Sequence, residues 1–257
     1  MIASLLLIAI GAADAVRIGR RRSLSLGLGL GVVVAVSLAA WLFGGVPLFA
    51  AVVVLAVSAV WVVSMSLESE RPRIWPVALV GGAFAALAVA PITVAPHAVK
   101  EIAGFPLSWV LALLGVSLVM TQTANVIART TLARVRPSGG DVVRPATHWR
   151  LRLGSRVVGR VERSEPEPPS ELAQGAGTLR GGRLIGPIER LLIVALALAG
   201  AQGVIAALLA AKGIVRFPEI SADRATGSKA EEFLIGSLTS WGLAALGAGW
   251  LWFVQRS

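Results

Sequence analysis

Apolar stretches of membrane-spanning length fill this sequence, and they constrain its fold more than any motif does. A helix that crosses a bilayer needs ~20 predominantly apolar residues, within a range of about 17–25. A first, short candidate runs from Ile2 to about Arg17. The stretch from Leu24 to Leu67 is too long for one span and suits two, with Gly44-Gly45-Val46-Pro47 as the turn between them. A fourth span starts at Pro76, a favoured first helical position, and ends between Pro91 and Pro96. The fifth runs from Leu107 to about Ala128, the sixth from Pro187 to about Ala211, and the seventh from Glu232 to about Val254. The expected fold class is therefore all-α integral membrane, with about seven transmembrane helices. Composition agrees: 56% of residues are hydrophobic and 15% charged, against ~45–50% and ~25% in ordinary globular domains.

Charge placement orients the spans. The net charge of +10 would suggest nucleic acid in a soluble chain. In a membrane protein it is first a topology signal, because Lys and Arg are retained in cytoplasmic loops. With the N-terminus outside and the C-terminus cytoplasmic, the outside keeps Lys100, Lys212, Arg216, Arg224 and Lys229, and the other 19 of the 24 basic residues fall inside. Trp41, Trp75, Trp109, Trp250 and Trp252 also fall at expected span ends, where amphipathic rings are favoured. The opening MIASLLLIAIGAADAVRIGRRR carries its charges after the apolar run, unlike a secretory signal peptide, and reads as a retained first helix. The expected location is the cytoplasmic membrane, as a multi-pass protein.

Three regions follow: a five-helix membrane region over 1–128, a basic cytoplasmic loop over 129–186, and a C-terminal transmembrane hairpin over 187–257. The loop holds eleven arginines against Asp141, Glu162, Glu165, Glu167 and Glu171. Within it, THWRLRLGSRVVGRVE alternates apolar and basic residues around Gly154-Ser155, which suggests a small β-hairpin. The following SEPEPPSELAQGAGTLRGG reads as a linker. The spans carry small residues every fourth position: Gly27, Gly31, Ala35 and Ala39 in the second, Ala195, Ala199, Gly203, Ala207 and Ala211 in the sixth, and Gly236, Ser240, Ala244 and Ala248 in the seventh. Such stripes let two backbones approach closely in lipid. The favoured expectation is packing within the chain, with the sixth and seventh spans as a facing antiparallel pair; a dimer seam is the alternative.

Polar residues at membrane depth are where function is sought first. Gln202 lies near the middle of the expected sixth span, and Thr121, Gln122 and Asn125 cluster toward the inner end of the fifth. Asp14 and Arg17, three apart, can pair on one face of the first. At the outer end of the last two spans Lys212, Arg216, Glu219, Glu231 and Glu232 form a candidate charge cluster, either a snorkelling lock on the hairpin or a polar mouth for a partner or headgroup. At the inner side, GAGTLRGGRLIGPIER offers Arg180, Arg183, Gly186 and Arg190 as candidate lipid-phosphate contacts at a helix start. It lacks the Gly-Lys-Ser/Thr ending of a nucleotide-binding loop. Cysteine is absent and the two histidines, His97 and His148, lie far apart, so no metal site, catalytic residue or cofactor is expected.

The runs GGRLIGPIERLLI, AAKGIVRFPEI and AEEFLIGSLTSW together resemble the C-terminal module of a group of uncharacterised bacterial, actinobacterial-type, polytopic integral-membrane proteins. The resemblance covers roughly residues 181–241 and implies a class without an established activity. Its matching positions here are Arg183, Gly186, Glu189, Arg190, Lys212, Arg216, Glu219, Glu232, Gly236 and Ser240. Three function classes stay open: a non-enzymatic scaffold or accessory subunit of a membrane complex, a transporter or channel for a small solute, and an enzyme acting on lipid headgroups. The expected partners are the bilayer, anionic headgroups at the cytoplasmic face, and a protein partner or a second copy. Nucleic acid is disfavoured, because the basic loop holds a single aromatic residue, Trp149, for base stacking.

Overall fold

The computed structural model describes residues 1–18, 22–65, 73–90, 101–102, 104–135, 149–153, 156–161, 182–222 and 228–256. They are mostly helical. Three helices are long and apolar enough to cross a membrane, Ser23–Leu42, Leu107–Arg134 and Ala230–Arg256; Ile2–Val16, Leu48–Ser64 and Trp75–Val89 are apolar but shorter. The chain divides into two units, Met1–Val135 with Leu184–Ser257, and Arg136–Arg183.

Helix α1 (Ile2–Val16) forms the centre of the first unit. Its apolar residues ring the whole helix, and Ile2, Leu5, Leu6, Ile8, Ala9, Ile10 and Ala13 are all buried. A helix apolar on every side belongs inside a bundle. Helices α2 (Arg22–Leu42) and α3 (Leu48–Ser64) are joined at the expected turn, with Gly45 in the left-handed region at φ 57° and Pro47 preceding α3. Helix α4 (Trp75–Val89) carries Pro76 in its first turn. A short antiparallel pairing of β1 (Glu101–Ile102) with β2 (Phe105–Pro106) leads into α5 (Leu107–Leu118). Helices α1 and α5 run parallel and nearly touch. A Cβ on Gly11 would stand 2.6 Å from Leu118 Cβ, and one on Gly115 would stand 2.9 Å from the Ser4 carbonyl oxygen. This contact rests on two isolated glycines, not on any of the three expected stripes.

After α5 the backbone makes one π turn, Val119–Thr123, in which the Ala124 N–H reaches back to the Val119 carbonyl. The helix then resumes as α6 (Ala124–Val135), continuing past the expected span end near Ala128. The largest departure from the sequence reading comes next. The expected sixth span, Pro187 to Ala211, is two helices, α7 (Gly182–Leu198) and α8 (Gln202–Ala222), followed by α9 (Ser228–Arg256). Gly200 sits at φ 71°. Its N–H bonds to the Ala197 carbonyl at 3.1 Å, and the Ala201 N–H bonds to Leu196 at 2.9 Å. Those paired bonds around a left-handed glycine are a Schellman helix stop. The chain reverses there, which brings Lys212 of α8 back beside Glu189 of α7.

This reversal changes the direction of everything after it. Helix α7 places Arg190 against Met120 and Asn125, and α9 places Ser240 at the same level. Farther along, Gly247 of α9 meets Val116 and Val194, and Trp250 reaches Ser4 near the start of α1. Helices α7 and α9 are therefore parallel to each other and antiparallel to α1 and α5, so both chain ends lie at one end of this unit. The sequence reading had carried residues 187–211 through in one pass and set the ends on opposite sides. Of the stripes, Ser240, Ala244 and Ala248 of α9 are buried, as packing within the chain requires. Those of α2 and of the expected sixth span are exposed along their length.

In the second unit, β3 (Trp149–Leu153) and β4 (Arg156–Val161) pair antiparallel, with Leu153 opposite Arg156 and a bulge between Leu151 and Arg152. This is the hairpin that the alternating pattern suggests. The linker read from Ser164 onward lies outside the described residues.

Two substitutions test the bundle. Gly11→Leu should lower the detergent melting temperature sharply, because the Leu118 backbone has no room to yield. Gly200→Val places a branched side chain in the left-handed region and should destabilise by about 1–2 kcal/mol. A thermal melt of both against wild type checks this; an unchanged Gly200→Val would mean that α7 runs on into α8.

Candidate functional site

The π turn gathers the polar chemistry of the first unit. Its Met120 and Thr121 carbonyls both accept side-chain donors from α7. Arg190 supplies them. Its Nε donates to the Met120 carbonyl at 2.8 Å and its Nη2 to the Thr121 carbonyl at 3.2 Å. Nη2 also donates to Asn125 Oδ1, and Nη1 to Ser240 Oγ at 3.2 Å. The residue is 2% exposed, and all four bonds end on neutral oxygens. Gly186, one turn earlier on α7, lies against the guanidinium, where a Cβ would stand 3.5 Å from both Nη atoms, an ordinary contact distance.

One turn along the same wall stands Asp14 of α1, fully buried. Its Oδ2 accepts from Thr123 Oγ1 at 2.8 Å and from Trp61 Nε1 at 3.0 Å. Its Oδ1 pairs with Arg17 Nη1 at 3.2 Å, and Arg17 Nη2 donates to the Met65 carbonyl at 2.8 Å. An isolated carboxylate is very costly in an apolar medium, and these donors are what permit it. The i,i+3 pairing of Asp14 with Arg17 is legible in the sequence. Trp61 and Thr123 were not, because nothing local marks residues 47 and 109 positions away as partners.

A third cluster sits beside the first. Lys212 Nζ donates to both carboxylate oxygens of Glu189, at 2.8 and 2.6 Å, and Trp241 Nε1 donates to Oε1 at 2.9 Å. The ammonium also lies 5.6 Å from the centre of the Trp241 ring. Lys212, expected at the outer end of a span, thus joins α7, α8 and α9 at the level of Arg190.

The other expected site residues fall as follows. Thr121 accepts Arg190 through its carbonyl and donates its hydroxyl to Leu118, and Gln122 lies in the π turn. Gln202 is exposed at the start of α8, beside the reversal and not midway along a span. Arg190 and Gly186, read as lipid-phosphate contacts, are turned inward on each other. Arg216 and Glu231 are exposed on α8 and α9, and Glu232 is half-buried. Glu219 lies on α8 and Arg183 on α7, with their side chains outside the description; Arg180 falls outside the described residues altogether. Among the described residues, no three His, Asp or Glu side chains gather as metal ligands would.

Next to the Asp14 cluster lies an apolar cavity of about 480 Å³, walled by α1, α3, α4, α5, α6 and α9 and floored by Trp61 and Thr123. Its exposed lining residues are Gly81 and Ala85 of α4 and Leu246 of α9, so it opens sideways between those two helices. Phe84 and Trp250 meet across the gap edge to face, 4.9 Å between centroids.

Removing one partner of a buried charge costs about 3–5 kcal/mol, whereas replacing a pair costs far less. Asp14→Asn and Arg17→Met should each destabilise strongly in a detergent denaturation series, and the double variant should lose clearly less than the sum of the two. Additive losses would mean that the pair does not act as a unit. Comparison with family models, with curated proteins and with solved structures gives no match, so the chemistry of these clusters rests on their own side chains.

Proposed function

We propose that this chain is a multi-pass protein of the cytoplasmic membrane that acts as a non-enzymatic scaffold or accessory subunit, docking a neighbouring membrane helix on α2. The observation that supports this reading is the outward stripe of that helix. Gly27, Gly31, Ala35 and Ala39 are all exposed, and a Cβ on either glycine would meet nothing within 4 Å. Small residues every fourth position are how helices approach closely in lipid, and the chain's own helices leave this stripe uncovered. The charged groups inside the bundle favour the same class. Asp14, Arg17, Glu189, Arg190 and Lys212 bond to one another or to fixed neighbours, an arrangement that locks helices together and suits neither proton exchange nor a moving ion path.

The reversal at Gly200 also revises the reading of topology. From Arg190 to Gly200 is ten residues, about 15 Å of helix rise, and from Met120 back to Leu107 is about 20 Å. The α7–α8 turn thus approaches the level at which α5 begins, which suits two further crossings and eight in all. Lys212 and Arg216 of α8, Lys229 at the start of α9, and Arg224 between them in sequence then fall on the cytoplasmic side, and Arg256 emerges outside. Only Lys100 and Arg256 remain outside, leaving 22 of the 24 basic residues inside. This division obeys the positive-inside rule better than the seven-span count does.

Two measurements test these readings. The chain contains no cysteine, so single cysteines report cleanly. Ser257→Cys should react with a membrane-impermeant maleimide in intact cells, and Thr226→Cys should react after lysis alone; the reverse pattern would restore the seven-span topology. Mild-detergent purification from the native membrane should recover a stoichiometric membrane partner or a second copy. Gly27→Leu with Gly31→Leu should abolish that recovery without lowering the melting temperature. A wild-type protein that elutes alone as a monomer would sink the scaffold reading.

A further inference from the structure

We infer that the cavity between α4 and α9 is a binding site for one acyl chain of an anionic membrane phospholipid. The inference rests on the membrane reading above and not on the α2 docking face. Four observations carry it. The volume, about 480 Å³, falls in the range of small-molecule sites, ~300–1,000 Å³. The polar groups on its wall are already bonded: Thr123 and Trp61 donate to Asp14, and Trp250 donates to Ser4. A water inside would find no free partner, so the space favours hydrocarbon. The mouth at Gly81, Ala85 and Leu246 lies on the apolar flanks of two helices, where the surrounding medium is lipid tails and not water.

The fourth observation concerns the headgroup. From Val77 to Ala85 the cavity follows α4 for about 12 Å, roughly two turns, along the helix axis. Just below Val77, Trp75 and Arg73 are both exposed at the head of α4. An aromatic ring and a guanidinium about two turns from the mouth match the depth of a glycerol-phosphate whose chain enters above them.

The probe is a phosphatidylglycerol with a photoactivatable diazirine midway along one acyl chain, in vesicles that carry the purified protein. Light followed by peptide mapping should place label on Val77–Ala85 and Leu243–Trp250. A diazirine phosphatidylcholine should label these segments less, and Arg73→Gln should erase the difference. Gly81→Leu adds a side chain at the mouth without a backbone clash, because a Cβ there meets nothing within 4 Å. It should remove label from both segments while label on Val34 and Leu38 of α2 persists. Label confined to outward residues such as Val34 and Leu38, or unchanged by Gly81→Leu, would overturn the site and leave the membrane reading standing. Absence of label from every helix would overturn both. Delipidated wild type should also melt at a lower temperature and recover when phosphatidylglycerol is added, a response that Gly81→Leu should lack.

Discussion

The fold depends on the side-chain hydrogen bonds that join the π turn between α5 and α6 to its neighbouring helices. That turn presents the Met120 and Thr121 carbonyls to α7 and the Thr123 hydroxyl to α1. Buried polar groups need partners, and the neighbouring helices supply them. Arg190 does so from one side, and Asp14 takes the Thr123 hydroxyl on the other. The π turn thus ties the α1–α3 half of the bundle to the α7–α9 half. In the proposed membrane setting, apolar packing alone would position neither half, since lipid tails are as apolar as the side chains they would displace.

Arg190 is the more demanding partner, because it brings a charge into the bundle without a carboxylate bonded to it. Four neutral oxygens spread that charge, which works where the guanidinium geometry fits two carbonyls, an amide and a hydroxyl at once. The demand extends to Asn125, whose amide oxygen serves the same group. Glu189, adjacent in sequence, faces the other way to hold Lys212 and Trp241. Two neighbouring charged residues on one helix therefore fix two different contacts, one to the π turn and one to the returning α8.

Much of the helical plan was legible in the sequence, and its failures share one cause. Apolar run length finds helices, so α1 to α5 and α9 lie close to their expected places. It does not find reversals inside an apolar run. The Ala199-Gly200-Ala201 stop is written in the sequence as a glycine past the end of an amphipathic segment, but the uninterrupted alanines and leucines mask it. The small-residue stripes misled for a related reason. Alanine and glycine are frequent enough here to form stripes on several faces, and only the path of the neighbouring helices decides which are covered. The polar sites divide the same way. Asp14 with Arg17 is local and readable, whereas Arg190 with Met120, Thr121, Asn125 and Ser240 is assembled from three distant segments.

The apolar cavity follows from these same ties. Helices α1, α5, α7 and α9 are drawn together at the polar clusters, while α4 is held by apolar contact with α1 and α3 and by the single ring contact from Phe84 to Trp250. Among the described residues α4 makes no polar tie, so in a bundle built on polar ties it stands off from its neighbour, and Gly81 and Ala85 widen the space it leaves. Close packing would fill such a gap in a water-soluble protein, where an exposed apolar cleft is costly. In the proposed bilayer setting the gap would meet hydrocarbon, and its walls would need no protein partner to be stable. On that reading, the constraint that fixes the rest of the bundle leaves one face where a lipid chain takes the place of a side chain.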